Sequence, residues 1–270
     1  MSARLASIPL AALGLCFAVA AAVALALPAL GQGDASSPEL RPDLVQTVPS
    51  DLVTRNRSDR FELGFTSAVE NHGDGPLRVN GSRTSATPDM TAEQLVRRAD
   101  GSLAHNPGVG TIRYTRSEGH QHWHLLRFDV YELRRASDRR LVKPDRKTGF
   151  CLDDRYDSGR DFRNKPSRAV LNTNCRYNET NAMSVGMGIS VGYGDDYHAY
   201  LEGQSFDVTG LPAGEYLLVH RVNFDKRLRE RRYTNNSASV RLRLGKPPGG
   251  GRPPGVEVLE RCLGTGNCPA

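Results

Sequence analysis

The run Gly119-His120-Gln121-His122-Trp123-His124 sets three imidazoles two residues apart. In an extended strand, side chains at i, i+2 and i+4 share one face. His120, His122 and His124 therefore present three nitrogen ligands together, neighbours being about 6.5–7 Å apart at the backbone. Gln121 and Trp123 point the other way, where Trp123 can pack in the core. Imidazole suits copper, zinc, iron and nickel, and three ligands leave positions open for water or oxygen, as a catalytic metal requires. The chain holds only 7 histidines, so composition rarely produces three in strict alternation. The competing reading is three surface histidines without a metal, and spacing alone does not choose copper over zinc.

The elements that must position these ligands read as short strands. Residues 61–69 alternate apolar and polar side chains, the period of a half-buried strand. Asn71-His72-Gly73-Asp74-Gly75 is a turn, and extended structure resumes over 76–79. Further strands are expected over 122–133, 206–208 and 214–222, with Leu211-Pro212-Ala213-Gly214 as a turn and 237–244 as the closing strand. The one helical candidate is 91–98, with Thr91 as its cap and Gln94 three residues on. The pattern predicts an all-β chain, a β-sandwich with long loops and at most short helices. Residues 34–41 read as a linker, 42–244 as the folded domain, 245–255 as a Pro- and Gly-rich linker, and 256–270 as a cysteine-containing tail, stapled or disordered.

The first 33 residues differ from the rest. Arg4 is the only charged residue before Asp34, and 8–30 are almost wholly apolar. A basic start, an apolar stretch and Ala24-Leu25-Ala26 as a cleavage site fit an export signal. The stretch is also long enough for an uncleaved anchor, which needs about 20 apolar residues. Either way the chain is expected outside the cytoplasm, secreted or membrane-anchored. Cys16 lies in this segment, and Leu13-Gly14-Leu15 before it is a poor lipid-attachment context. That leaves Cys151, Cys175, Cys262 and Cys268 in an oxidising compartment. Three pairings are open; Cys262 with Cys268 would close a small loop and leave Cys151 with Cys175. Net charge is +6 in 270 residues, with basic clusters at Arg134–Arg135, Arg139–Arg140 and 226–232. A solvated surface explains these, and attraction to anionic envelope polymers is a second use. Nucleic acid is excluded as a partner, because aromatic and basic residues do not interleave.

Several ordered pieces of the domain resemble the lysyl oxidase family. Pro42-Asp43-Leu44-Val45 resembles the opening of its domain, and His120-Gln121-His122-Trp123-His124 its copper motif. Lys147-Thr148-Gly149-Phe150-Cys151-Leu152-Asp153-Asp154 resembles the segment carrying its cofactor lysine, and Tyr193-Gly194-Asp195-Asp196 the segment carrying its cofactor tyrosine. Phe206-Asp207-Val208-Thr209, Gly214-Glu215-Tyr216-Leu217-Leu218 and Tyr233-Thr234-Asn235-Asn236 follow in the family's order. The resemblance implies Cu2+ and a self-derived lysine tyrosylquinone made from Lys147 and Tyr193. It further implies an amine oxidase that converts primary amines, peptidyl lysine among them, to aldehydes while O2 becomes H2O2. Such a reaction needs a base for the α-proton. The acid that follows the last copper histidine in animal members has no match here, where Leu125, Leu126 and Arg127 stand, and Gly119 replaces a cysteine. Asp195 and Asp196 are the substitute base candidates. The alternative function is an exported copper- or zinc-binding β-sandwich module without catalysis, for metal handling or envelope interaction.

Overall fold

The computed structural model describes residues 37–86, 89–117, 120–144, 147 and 149–269. The expected export segment, with Cys16, lies outside them. Every regular element among the described residues is a strand, as the alternating pattern requires, and no helix there is long and apolar enough to cross a membrane. The first seven strands are β1 (Glu39–Leu40), β2 (Leu44–Gln46), β3 (Ser50–Arg57), β4 (Arg60–Asn71), β5 (Leu77–Ser82), β6 (Asp89–Arg98) and β7 (Leu103–Ser117). Next come β8 (His120–Leu125), β9 (Asp129–Arg135), β10 (Leu141–Pro144), β11 (Tyr156–Asp157) and β12 (Ser184–Ile189). The last five are β13 (Tyr193–Tyr197), β14 (Ser205–Asp207), β15 (Gly214–Val222), β16 (Ser237–Leu244) and β17 (Val256–Leu263).

These strands form three antiparallel sheets. One runs β12-β5-β6-β7-β8 with β1 on β6; the second runs β10-β9-β15-β16-β17; the third gathers β11, β13 and β14 with β2 and β3 around the long β4. Their inner faces share one core, in which Leu63, Phe65, Leu77, Ile112, Trp123, Leu133, Leu152 and Ile189 are fully buried. The histidine strand β8 is an edge of the first sheet. Two loops cover that edge, and they carry the groups described below.

Four features differ from the sequence expectation. Residues 91–98 are strand, not helix: β6 is paired along both sides by β5 and β7, and Gln94 is buried. Its amide donates to Arg229 O (2.9 Å) and accepts from Arg229 N (2.7 Å), partners that only an extended backbone reaches. The single strand expected over 122–133 is two, β8 and β9, because the chain changes sheets at Leu126–Phe128, where Arg127 takes φ +60°. The tail after the Pro- and Gly-rich segment is stapled, not disordered, and it is also a strand: β17 pairs with β16, and thus closes the sheet in place of 237–244. The segment before it is pinned by bonds from Thr54 to Pro254 O (2.6 Å) and from Asn56 to Gly251 O (2.9 Å). In the expected N-terminal linker, Glu39–Leu40 pairs with β6. The four cysteines form Cys151–Cys175 and Cys262–Cys268.

Two of the resembling segments meet here for a structural reason. Asp43 is fully buried and accepts from Arg232 (2.8 and 3.0 Å) and Asn235 (2.8 Å). Glu230 accepts from Leu44 N (2.8 Å) and Asn236 (2.7 Å). Such bonds offset the cost of burying a carboxylate, and the network ties the start of the domain to the loop before β16.

His220 on β15 is fully buried between Phe65 and Tyr131, and neither ring nitrogen has a hydrogen-bond partner. Burial lowers its pKa to about 3, whereas the unfolded chain binds the proton near pH 6.5. The folded value is depressed, so this contribution is complete above about pH 6.5 and is lost as pH falls toward about 3. His220→Leu is expected to flatten the fall of unfolding free energy by about 1.4 kcal/mol per pH unit in that window. Urea denaturation of metal-free protein between pH 4 and 7 measures this; an unchanged slope would show that His220 titrates normally.

Candidate active site

On β8 the strand alternation does what the spacing predicts. One ring nitrogen from each of His120, His122 and His124 lies within 4.8 Å of the other two, and ring centroids are 4.7–5.6 Å apart. Trp123 faces the core between them and donates its indole N–H to Glu179 O. Three of the buried nitrogens, Nδ1 of His120, Nε2 of His122 and Nε2 of His124, have no hydrogen-bond partner. Burial comes first in depressing all three pKa values, and the Lys147 cation adds to it for each; His122 falls to about 4 and His124 to about 2. At neutral pH the rings are uncharged and their lone pairs are available, the state a transition metal binds. The other two groupings with metal-ligand chemistry use cysteines already joined as disulfides.

Thr115 on β7 sits behind the cluster, its Oγ1 3.1 Å from His124 Nδ1. With Nε2 left for a cation, Nδ1–H donates to the threonine and fixes the ring's tautomer and direction.

The exposed edge of β8 is covered by backbone. Leu125 N donates to Phe150 O (2.8 Å) and Phe150 N to Leu125 O (3.0 Å). Trp123 N donates to Cys175 O (3.0 Å), and Asn178 N to Gln121 O (2.7 Å). The two covering loops are cross-linked by Cys151–Cys175. Gly149 allows the close approach: its φ is +117°, and a Cβ there would lie 2.8 Å from Leu125 O and 3.0 Å from His124 Cβ. The loop thereby delivers Lys147 to the histidines.

Lys147 Nζ lies 4.3 Å from the ring centroid of Tyr197 and 5.1 Å from that of Phe150. The Tyr197 phenol is buried and donates to Cys151 O (2.7 Å), with Phe150 packed edge-on at 5.0 Å. Burial pushes that phenol far above its ordinary pKa, and the charge of Asp195 adds to the effect. Tyr193, the expected partner of Lys147, lies four residues back on β13, about 13 Å at strand rise. Its hydroxyl points to Pro166 O (3.5 Å) and its ring faces Lys165 Nζ (5.8 Å). Lys165 is itself engaged by Asp157 at 2.6 Å.

Asp195 shares the inner face of β13 with Tyr197. It is 2% exposed, and neither carboxylate oxygen accepts a hydrogen bond. Burial raises its pKa well above the carboxylate range, Asp153 and Asp196 add to the rise, and Arg155 and Lys147 oppose it. Arg155 Nε stands 3.8 Å from Asp195 and 3.2 Å from Asp196. Asp196 faces outward and also pairs with His198 (3.2 Å). The structure thus assembles His120, His122, His124, Lys147 and Asp195, and it adds Tyr197, Arg155 and Thr115, which sequence reasoning missed. Strand periodicity puts Tyr193, Asp195 and Tyr197 on one face, a signal that could have pointed to Tyr197.

Among the described residues, this all-β domain buries three imidazole nitrogens without hydrogen-bond partners near a lysine, a phenol and a carboxylate, a donor set able to hold a transition metal. The family described as lysyl oxidase matches residues 94–247, more than half of the chain, and the chain belongs to it. Protein-lysine 6-oxidase of Sus scrofa is 30% identical over 128 residues, covering 46% of this chain and 44% of that protein. Lysyl oxidase homolog 2B of Danio rerio is 27% identical over 216 residues, covering 77% of this chain and 25% of that protein. Lysyl oxidase homolog 1 of Homo sapiens is 34% identical over 118 residues, 43% of this chain and 18% of that protein. The chain spans less than half the length of these relatives.

Thr115→Val is expected to lower affinity for Cu2+ or Zn2+ about tenfold by releasing the His124 ring, measured by competition with a chromophoric chelator. Wild-type affinity in the variant would show that the threonine orients nothing.

Proposed function

We propose that the domain oxidises primary amines, peptidyl lysine among them, to aldehydes, using copper held by His120, His122 and His124 and a quinone derived from Lys147 and Tyr197. The observation that carries this reading is the approach of the Lys147 amine to the buried Tyr197 ring, beside three unpartnered imidazole nitrogens. When present, copper and the cross-linked quinone supply the redox chemistry: an amine CH2 is oxidised, O2 is reduced to H2O2, water furnishes the aldehyde oxygen, and ammonia leaves. The same geometry favours Tyr197 over Tyr193 as the phenol.

The chain's own residues do the rest. Phe150 and the Cys151 carbonyl hold the Tyr197 ring and hydroxyl in one orientation. Burial of Tyr197 and Asp195 excludes bulk water, which strengthens every charge interaction there. Asp195 is the base for the α-proton: a carboxylate whose pKa is raised by burial is a stronger proton acceptor. Arg155 opposes that rise, favouring the ionised form, and holds Asp196 on the outer face. The two disulfides support a site of action outside the cytoplasm.

Copper-loaded protein kept in air is expected to show a visible band that reacts with phenylhydrazine, and a cross-linked peptide joining Lys147 to Tyr197 by mass spectrometry. Tyr197→Phe and Lys147→Ala are expected to abolish the band, and Tyr193→Phe to keep it. Copper binding without a band or peroxide would return the domain to a non-catalytic metal module. Removing the cation in Arg155→Met leaves Asp195 protonated to higher pH, so the acidic limb of the kcat/KM profile is expected to move upward. A profile that does not move would remove Asp195 from the role of base.

A further inference from the structure

Beside Lys147 a pocket of about 430 Å³ is lined by Arg113, Thr115, Arg116, Arg127 and Lys147, among others. Two of its walls belong to the site: Lys147 lies over the Tyr197 ring, and Thr115 contacts His124. The charge of Arg113 is already engaged by both oxygens of Asp89 (3.0 and 2.8 Å). Arg116 and Arg127 are different. Both are exposed, and neither is paired with a carboxylate among the described residues. Each guanidinium lies over an aromatic ring instead, Arg116 over Tyr114 (5.8 Å) and Arg127 over Phe224 (4.6 Å). Arg127 also stands at φ +60°, a left-handed backbone conformation that residues other than glycine adopt at a cost. The turn that imposes it is fixed by Leu126 N donating to Thr111 O (3.0 Å) and Asn223 N to Phe128 O (2.8 Å). Two preoriented planar cations without acid partners are suited to grip a carboxylate.

We propose that Arg116 and Arg127 hold an acidic side chain flanking the lysine to be oxidised, so that the domain prefers peptidyl lysines next to aspartate or glutamate. The proposal rests on the amine-oxidase reading for its consequence and on the pocket alone for its binding. A substrate ammonium meets a mouth already carrying Arg116, Arg127 and Lys147; a neighbouring carboxylate on the substrate offsets that repulsion.

The test uses copper-loaded protein and three peptides of equal length, each with one lysine in an acidic, neutral or basic flank. Wild type is expected to give a kcat/KM for the acidic peptide about fivefold above the neutral one at low salt, from two exposed ion pairs. The advantage shrinks as NaCl rises, and in R116Q/R127N, where asparagine still tolerates the left-handed backbone. The control K246Q retains it. Equal rates, a preference for basic flanks, or an advantage that survives in R116Q/R127N overturns the proposal. A second measurement is independent of turnover: fluorescence anisotropy of the acidic peptide with norleucine in place of lysine. Binding to wild type that is lost in R116Q/R127N supports the pocket, and no binding, or equal binding, overturns it. If no amine is oxidised by any form, the amine-oxidase reading fails while the anisotropy still decides the pocket.

Discussion

The arrangement depends on how the free edge of the histidine strand is closed. An edge strand presents backbone groups that must find partners or stay in water. On β8 they bond to Phe150 on one loop and Cys175 on the other, and the Cys151–Cys175 bridge ties those loops together. Ordinary sheet bonding therefore brings Lys147 to the imidazoles and sets the Cys151 carbonyl to receive the Tyr197 hydroxyl. The third sheet completes the site from the other side, because β13 pairs with β4 and aims Asp195 and Tyr197 inward.

The electrostatics follow from enclosure. Burial strips charge from the imidazoles, and the nearby Lys147 reinforces this. The same burial works against ionising Asp195, and Arg155 and Lys147 work for it. A carboxylate with no hydrogen-bond donor on either oxygen is costly to keep. A group retained at such cost, poised between opposing influences, is characteristic of a functional site.

Much of this was legible in the sequence. Period-two alternation gave the strands at β4, β15 and β16 and the common face of the three histidines, because both are local. Residues 91–98 misled, since a run of good helix formers with a capping threonine has no local mark of the strands β5 and β7 that flank it. Tyr197 was missed as well: the family resemblance pointed to Tyr193, and only the loop carrying Lys147 shows that the lysine lies over the Tyr197 ring. Arg155 and Thr115 have no motif and matter through neighbours distant in sequence. The tail was read from its two cysteines, whereas the strand β17 that Val256–Leu263 builds depends on pairing with β16.

The bridge between Cys151 and Cys175 also sets a chronology for the maturing chain. The segment from 149 to 154 has little secondary structure of its own, and its hold on β8 is short. Until the two thiols are oxidised, that segment is held by the buried Phe150 and Leu152 and by bonds to the Asp153 and Asp154 carboxylates, with no covalent tie to the loop bearing Cys175. Protein held in a reducing cytosol would thus keep its two covering loops untied, and oxidation would lock them to each other.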